Sequence, residues 1–339
     1  MSQNLLVVKD VAMHFHTEDG EVFALDGVSF EIRYGETFAL VGETGCGKSV
    51  TAMTILGLLP PQASVSRGEV LFHDDTLRRR LRMTGPGPVD LLKLSNRQML
   101  KLRGVRIALI SQDPSSSLDP LYRIEAQIGE VLNTHRGIDG KKAKEEVLRL
   151  LNSVELAPAE EIAKKYPHQL SGGQCQRVVI AMALASQPSL LIADEPTTSL
   201  DVSIQAEILE LMAELIRGSN TSLLLITHDL AVVPEVSDRV GVMYAGSVCE
   251  IADVRSLFAH PIHPYTRGLL AAVPSITQRK AEMDYIPGSV PDLMHPPAGC
   301  RFHPRCKYAT EVCKGRKPKM VAVETEHYVV CHHYAACLP

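Results

Sequence analysis

Gly42-Glu43-Thr44-Gly45-Cys46-Gly47-Lys48-Ser49 follows the apolar run Thr37 to Val41 and opens a helical stretch, Lys48 to Leu59, that Pro60-Pro61 closes. The order strand, Gly-rich loop, helix decides the fold. Glycines at 42, 45 and 47 let backbone N–H groups approach phosphate oxygens without a Cβ clash, and the helix adds its positive N-terminal end. Phosphate is the natural guest. In such a loop Lys48 reaches the β- and γ-phosphates, and the Ser49 hydroxyl ligates Mg²⁺. Cys46 is small enough to pack inside the loop, where oxidative bulk on its thiol would intrude on the cradle.

Upstream, Leu5 to Val8, Glu21 to Leu25 and Val28 to Ile32 are strand-like, with turns at Asp19-Gly20 and Tyr34-Gly35. Downstream, Leu77 to Arg82 carries four arginines and Thr84-Gly85-Pro86-Gly87-Pro88 follows it. Together they predict a solvated basic loop between strand Val70 to His73 and the next helix. Clustered cations there would also suit lipid headgroups or an acidic partner. Ala143, Val147, Leu150, Leu151 and Val154 share one face at helical spacing, which predicts a small helical subdomain at about 115–185. Beyond it a helix from about Gln174 to Ala185, strand Leu190 to Ala193, helix Gln205 to Arg217 and strand Ser222 to Thr227 give α/β order with a parallel sheet. A hairpin is expected at Ala245-Gly246. From His260 the chain turns rich in Pro, His and Cys, so residues 1–259 are assigned to the nucleotide-binding domain and 260–339 to a C-terminal extension.

At 339 residues, 45% hydrophobic and 22% charged, the chain can bury a sizeable core. No apolar run approaches the roughly 20 residues that span a bilayer, and Met1 to Asp10 lacks the pattern of a signal peptide, so a soluble, cytosolic protein is expected. The net charge of −4 argues against a general nucleic-acid binder. Eight cysteines in that compartment are better read as thiols or ligands than as disulfides.

Strand Leu190 to Ala193 delivers Asp194 and Glu195 at its C-terminal end, where open α/β sheets place their ligands. Asp194 suits the Mg²⁺ shell. Glu195 suits the water that attacks the γ-phosphorus. With Leu170-Ser171-Gly172-Gly173-Gln174 preceding that strand, the chain resembles the ATPase subunits of ATP-binding-cassette transporters over Val7 to about Ile251. The resemblance implies a P-loop NTPase fold with an antiparallel β subdomain and a helical subdomain. It also implies nucleotide contacts from residues 42–50, Val50 included, and from Phe15, stacked on adenine. Gln112, in Ile110-Ser111-Gln112-Asp113, matches the glutamine that senses Mg²⁺ and water and whose loop touches the membrane subunit. His228, in Thr227-His228-Asp229, matches the histidine at the γ-phosphate. Ser199-Leu200-Asp201 matches a loop that contacts the opposite monomer. Ser171, Gly172, Gly173 and Gln174 would grip the γ-phosphate held by a facing chain, so the protein is expected to work in a pair.

Cys300, Cys306, Cys313 and Cys331 are separated by five, six and seventeen residues. Four thiolates suit tetrahedral Zn²⁺ or an iron–sulfur cluster, and this spacing matches neither Cys-x-x-Cys pairs nor ferredoxin runs. His303, His332 and His333 are alternative ligands that keep zinc open, and Cys337 is a spare thiol. Cys175 and Cys249 read as ordinary residues. The tail, including His263-Pro264-Tyr265-Thr266, Pro287-Gly288 and Gly299-Cys300 through Pro304-Arg305-Cys306, resembles the C-terminal region of oligopeptide and dipeptide importer ATPases. That resemblance implies a [4Fe–4S] cluster on the four cysteines, a second ATPase subunit, two integral-membrane permease subunits and an extracytoplasmic substrate-binding protein. It places the chain on the cytoplasmic face of the cell membrane. Nickel or another small solute is the alternative cargo; a soluble ATPase acting on DNA or ribosomes would want coiled-coil insertions or tandem cassettes.

Overall fold

Apolar residues recur through Asn4–Thr17 (β1) and Gly20–Arg33 (β2), whose antiparallel register sets Phe15 opposite Val22 and Thr17 opposite Gly20. The short strands expected here are pieces of two long ones. In the computed structural model, which describes residues 4–198, 200–272 and 286–337, they join Ala63–Phe72 (β4) and Val89–Asp90 (β5) in a four-stranded sheet of order β2-β1-β4-β5.

Thr37–Val41 (β3) is buried at every position and lies at the heart of the second sheet. It runs parallel to Ser222–Thr227 (β8) on one side and Arg239–Tyr244 (β9) on the other. Leu190–Asp194 (β7) and Ile107–Ile110 (β6) continue the parallel part beyond β8. Strands covered on both faces need unbroken apolar runs, which Leu190 to Ala193 and Leu223 to Ile226 supply. The hairpin at Ala245-Gly246 returns the chain antiparallel as Ser247–Asp253 (β10). Val321–Glu324 (β11) and His327–Val329 (β12) then complete the eight-stranded order β11-β12-β10-β9-β3-β8-β7-β6. Because β3, β6, β7 and β8 are parallel, their C-terminal ends open on one edge, and Gly42, Ser111, Glu195 and His228 are the residues that follow them.

The helix after the phosphate loop, Lys48–Leu56 (α1), stops before Pro60-Pro61 because Gly57 adopts a left-handed conformation and caps the Met53 and Thr54 carbonyls. The arginine-rich stretch corrects the expected loop. Asp75–Leu81 (α2) is a helix, started by the Asp74 carboxylate accepting from the Leu77 N–H and anchored by buried Leu77. Arg78 is buried too, and its guanidinium donates to the Gly87 and Thr84 carbonyls, holding the Gly-Pro loop in place. After the short Asn96–Met99 (α3), the helical lobe comprises Ile124–Arg136 (α4), Gly140–Ser153 (α5), Ala159–Lys164 (α6) and Gly172–Ala185 (α7). Val147, Leu150, Leu151 and Val154 pack there against Ile128, Leu132 and Val178, while Ala143 is only half-buried.

Val202–Arg217 (α8) covers β7 and β8, and Val233–Val236 (α9) and Val254–Ala259 (α10) flank β9 and β10. Pro264–Ala271 (α11) and Glu311–Gly315 (α12) belong to the tail. Tyr265 and Phe302 from that tail share one apolar cluster with Val240, Val242 and Tyr244 of β9. Glu250, fully buried on β10, ties the junction by accepting from the Ile262 N–H at 2.8 Å, the His263 N–H at 2.9 Å and His327 Nε2 at 2.7 Å. Those hydrogen bonds hold the Glu250 carboxyl below its ordinary range against the cost of its burial.

Candidate functional site

The phosphate loop is shaped by contacts that exclude side chains. At Gly42 (φ 153°) a Cβ would lie 2.1 Å from the Met243 carbonyl, and at Gly47 (φ 103°) it would meet Met243 Cε at 2.9 Å and the Ala24 carbonyl at 3.0 Å. Both positions demand glycine. Cys46 is fully buried in the loop, and burial pushes its thiol up, which disfavours the reactive thiolate. Lys48, itself buried, bends back to donate to the Gly42 carbonyl at 2.8 Å and the Glu43 carbonyl at 3.2 Å. Thr44, Gly45 and Ser49 are exposed around the cradle, and Val50 is half-buried against the core.

The strand ends complete a polar hub. Ser49 Oγ donates to Asp194 Oδ1 at 2.9 Å. Burial, with Glu195 adjacent, raises the Asp194 carboxyl, while the Ser49 hydrogen bond and Lys48 pull it back. One Glu195 oxygen accepts from Thr198 Oγ1 at 2.9 Å, lies 3.2 Å from His228 Nδ1 and receives Gln112 Nε2 at 3.4 Å. Glu195 is held with φ 47°, its N–H bonded to the Ile226 carbonyl at 2.9 Å, so the β7 end aims the carboxylate out of the sheet. Lys48, Ser49, Asp194, Glu195, Gln112 and His228 are thus gathered on one edge. Thr198 joined them unseen in the sequence.

Other expected residues stand apart from this hub. Phe15 is half-buried on β1, packed against the core. Ser171 caps α7 in a reciprocal box: its hydroxyl accepts from the Gln174 N–H at 3.3 Å and Gln174 Oε1 accepts from the Ser171 N–H at 3.1 Å. Gly172 and Gly173 sit tightly against the segment that leads into α8 and its first turn, where a Cβ would lie 3.3 Å from Leu200 Cδ2 and 3.2 Å from Ile204 Cγ2 respectively. Among the described residues, Ser171 to Gln174 make no hydrogen bond to residues 42–49. Asp201 is exposed at the start of α8. Ser199 lies outside the described residues.

The sheet edge and the helical lobe match known proteins closely. The sequence profile described as "ABC transporter" matches residues 25–198, and one described as "Oligopeptide/dipeptide transporter, C-terminal region" matches residues 249–313. The chain is 46% identical over 330 residues to the dipeptide transport ATP-binding protein DppD of Bacillus subtilis, covering 97% of this chain and 94% of that one. The chain belongs to the ATP-binding-cassette transporter ATPases. Another relative, the oligopeptide transport ATP-binding protein OppD of Escherichia coli, is 44% identical over 314 residues, covering 93% of this chain and 89% of that one. Among solved structures, a dimeric ATP-binding cassette in a post-hydrolysis state bound to ADP and Pi superposes with TM-score 0.62 at 28% identity, over 74% of this chain and 99% of that one. The cassette ATPase hydrolyses ATP, and no described helix is long and apolar enough to cross a membrane.

In this cassette ATPase the tail thiols converge. Cys300, Cys306, Cys313 and Cys331 line one small pocket beside Phe302 and Tyr308. Burial raises the Cys300 thiol to about 11; N–H groups of Phe302 and His303 point at its sulfur, while the Cys313 and Cys306 thiols add to the rise. The His333 N–H donates to Cys331 Sγ at 3.4 Å. Such amide donors suit sulfur bound to a metal as thiolate, and His303, His332 and His333 line the same pocket, each with one ring nitrogen already paired. His303 Nδ1 pairs with the Cys300 carbonyl at 2.9 Å, His332 Nε2 with the Arg316 carbonyl at 2.7 Å and His333 Nε2 with Thr310 Oγ1 at 2.9 Å. Cys175 and Cys249 are buried; the side chain of Cys337 lies outside the described residues.

Proposed function

We propose that the chain is a peripheral ATPase on the cytoplasmic face of the cell membrane that drives uptake of di- or oligopeptides through two permease subunits, supplied by an extracytoplasmic binding protein. The observation that carries the peptide assignment is the tail, residues 249–313, matching the oligopeptide/dipeptide transporter C-terminal region beside a complete nucleotide edge. Residues 1–259 form the nucleotide-binding domain and 260–339 the extension.

In the proposed mechanism Lys48 leaves the Gly42 and Glu43 carbonyls for the β- and γ-phosphates, and the loop amides line the phosphate oxygens. Ser49, Asp194 and Gln112 would hold Mg²⁺, whose charge would offset the cost of a buried Asp194 carboxylate. Glu195 orients the attacking water, and His228 contacts the γ-phosphate. Phe15 packs on adenine. Ser171, Gly172, Gly173, Gln174 and Asp201 serve the nucleotide of a facing ATPase subunit, so ATP favours a closed pair and hydrolysis releases it.

A cleft of about 580 Å³ in the helical lobe, lined by Asp119, Tyr122, Gln127, Glu130, Thr134 and Met182, supports permease docking. Leu121 is 79% exposed beside it, an apolar residue without cover in the chain alone. Cys300, Cys306, Cys313 and Cys331 would hold a [4Fe–4S] cluster, which when bound cross-links the tail and supplies no electron that hydrolysis requires. Anaerobic purification followed by iron, sulfide and zinc analysis tests that assignment: about four irons per chain is expected, and stoichiometric zinc would replace it. For the function, vesicles carrying the full complex should take up labelled dipeptides with ATP inside. Uptake of Ni²⁺ and not peptide would overturn the peptide reading.

A further inference from the structure

The cysteine pocket and the phosphate loop are joined by a short, polar strut. Cys300-Arg301 and Arg305-Cys306 each pair a pocket thiol with an adjacent arginine; Arg305 reaches Glu43 of the phosphate loop, and Arg301 reaches Asp26 of β2 and the Ala245 turn. The Arg305 guanidinium makes a bidentate ion pair with Glu43 of the phosphate loop, 2.8 Å from Nη1 to Oε2 and 3.1 Å from Nη2 to Oε1. Its side chain is only 7% exposed. It is locked in that pose by donating from Nε to the Pro287 carbonyl and from Nη2 to the Ile286 carbonyl, and by lying 5.7 Å over the Tyr244 ring. Planar bidentate pairing fixes direction as well as charge, which a lysine point charge would not.

Glu43 is gripped at every polar group it owns. Its N–H donates to the Tyr265 hydroxyl at 3.0 Å, its carboxylate takes Arg305, and its carbonyl accepts from Lys48 at 3.2 Å. Tyr265 is fully buried, with its ring packed 4.6 Å from that of Tyr244 and 5.4 Å from that of Phe302 in the pocket wall. On the other side of the loop, the Cys46 carbonyl accepts from the Gly246 N–H at 2.8 Å, and Arg301 holds the adjoining Ala245 carbonyl while pairing with Asp26 at 3.4 Å. The tail therefore braces the cradle from both flanks. Cys306 is one peptide bond from Arg305, so the pocket and the Glu43 clamp are joined by a short, tightly packed path.

We propose that Arg305 and Tyr265 are positioning residues for nucleotide binding, holding Glu43 and hence the phosphate loop in its receptive shape, and that the state of the cysteine pocket thereby sets nucleotide affinity. The inference rests on residues 42–49 being the phosphate loop. It assigns the tail a role in the ATPase itself.

The test is equilibrium titration of the full chain, purified without oxygen, with a fluorescent ATP analogue and Mg²⁺. Arg305→Ala should raise Kd about 5- to 10-fold and Arg305→Lys should recover part of that loss. Glu43→Gln should raise Kd similarly, and the Arg305→Ala, Glu43→Gln double variant should be less than about twofold worse than the poorer single, as partners in one interaction require. Tyr265→Phe, which keeps the buried ring, should weaken binding by about twofold. Cys306→Ser should shift Kd in the same direction, with Arg305→Ala adding little on top. Thermal melting of each variant separates a displaced loop from an unfolded tail, because Glu43→Gln and Tyr265→Phe leave the tail packing intact. An unchanged Kd in Glu43→Gln and Tyr265→Phe, or additive losses in the double variant, would overturn the strut. Lys48→Ala serves as the control for the loop itself: if it binds the analogue as wild type does, the loop assignment fails rather than the strut.

Discussion

The nucleotide edge and the tail junction are both dense in polar side chains, yet they are built in opposite ways. Around Glu195 only Thr198 is close, at 2.9 Å; His228 stands at 3.2 Å and Gln112 at 3.4 Å, and the His228 side chain is 49% exposed. Around Glu250 the contacts are 2.7 to 2.9 Å, and both Glu250 and His327 are sealed from solvent. The open cluster leaves donor and acceptor capacity for a guest. The closed cluster spends its carboxylate on the fold, since a buried carboxylate is tolerable only when well bonded, and leaves His327 Nδ1 buried without a partner among the described residues.

The sharpest way to break the contrast is at Glu250. Replacing it with Ala should destabilise the chain by about 3 to 5 kcal/mol, because His327 and two backbone N–H groups lose their buried acceptor. Urea unfolding measures this, and a loss below about 1 kcal/mol would mean the junction is not closed. Glu195→Gln should do the reverse: stability nearly unchanged, ATP-analogue binding kept, and turnover reduced on the order of 10²-fold or more. Phosphate release at wild-type rate would remove Glu195 from its role.

A third prediction uses pH. His263 is buried, with Nδ1 accepting from the Tyr265 N–H at 3.0 Å, and burial lowers its imidazole to about 4 although Glu250 draws it partly back. Between pH 6.5 and about 4 the unfolded chain takes up a proton that the folded chain refuses. Stability is therefore complete above that window and falls as pH drops through it, by at most about 3 kcal/mol. His263→Asn, which keeps an acceptor for the Tyr265 N–H, should flatten the slope of urea-unfolding free energy against pH; an equal slope would place the titration elsewhere. The smallest effect is expected at Ser171, exposed in its capping box. Ser171→Ala should cost about 1 kcal/mol of stability, read by the same unfolding curves.

How far each region is legible in the sequence follows from the same contrast. The nucleotide residues are local: glycines at 42 and 47 announce a backbone with no room for Cβ, and the acidic pair ends an unbroken apolar strand. Only Thr198 was missed there, a residue type too common to signal a partner for Glu195. The arginine-rich stretch reads as a loop by its charge, whereas Asp74 as a cap and Leu77 as a buried anchor make it a helix. In the tail, Cys300, Cys306, Cys313 and Cys331 could be seen as a group, but not that Arg305 and Tyr265 between and before them would reach Glu43.

The sequence by itself determined the cassette fold, the phosphate loop and the order of its partner residues, because each is written in short-range chemistry: glycine where φ is positive, a strand of apolar residues, a carboxylate at its end. Tertiary structure alone decided that Glu195 meets His228 and Gln112, that Cys46 is sealed from solvent, and that the tail clamps the phosphate loop. Glu43 and Arg305 lie 262 positions apart. Such a pairing depends on the order of strands in the sheet and the depth of burial at the contact, and neither has any local trace in the chain.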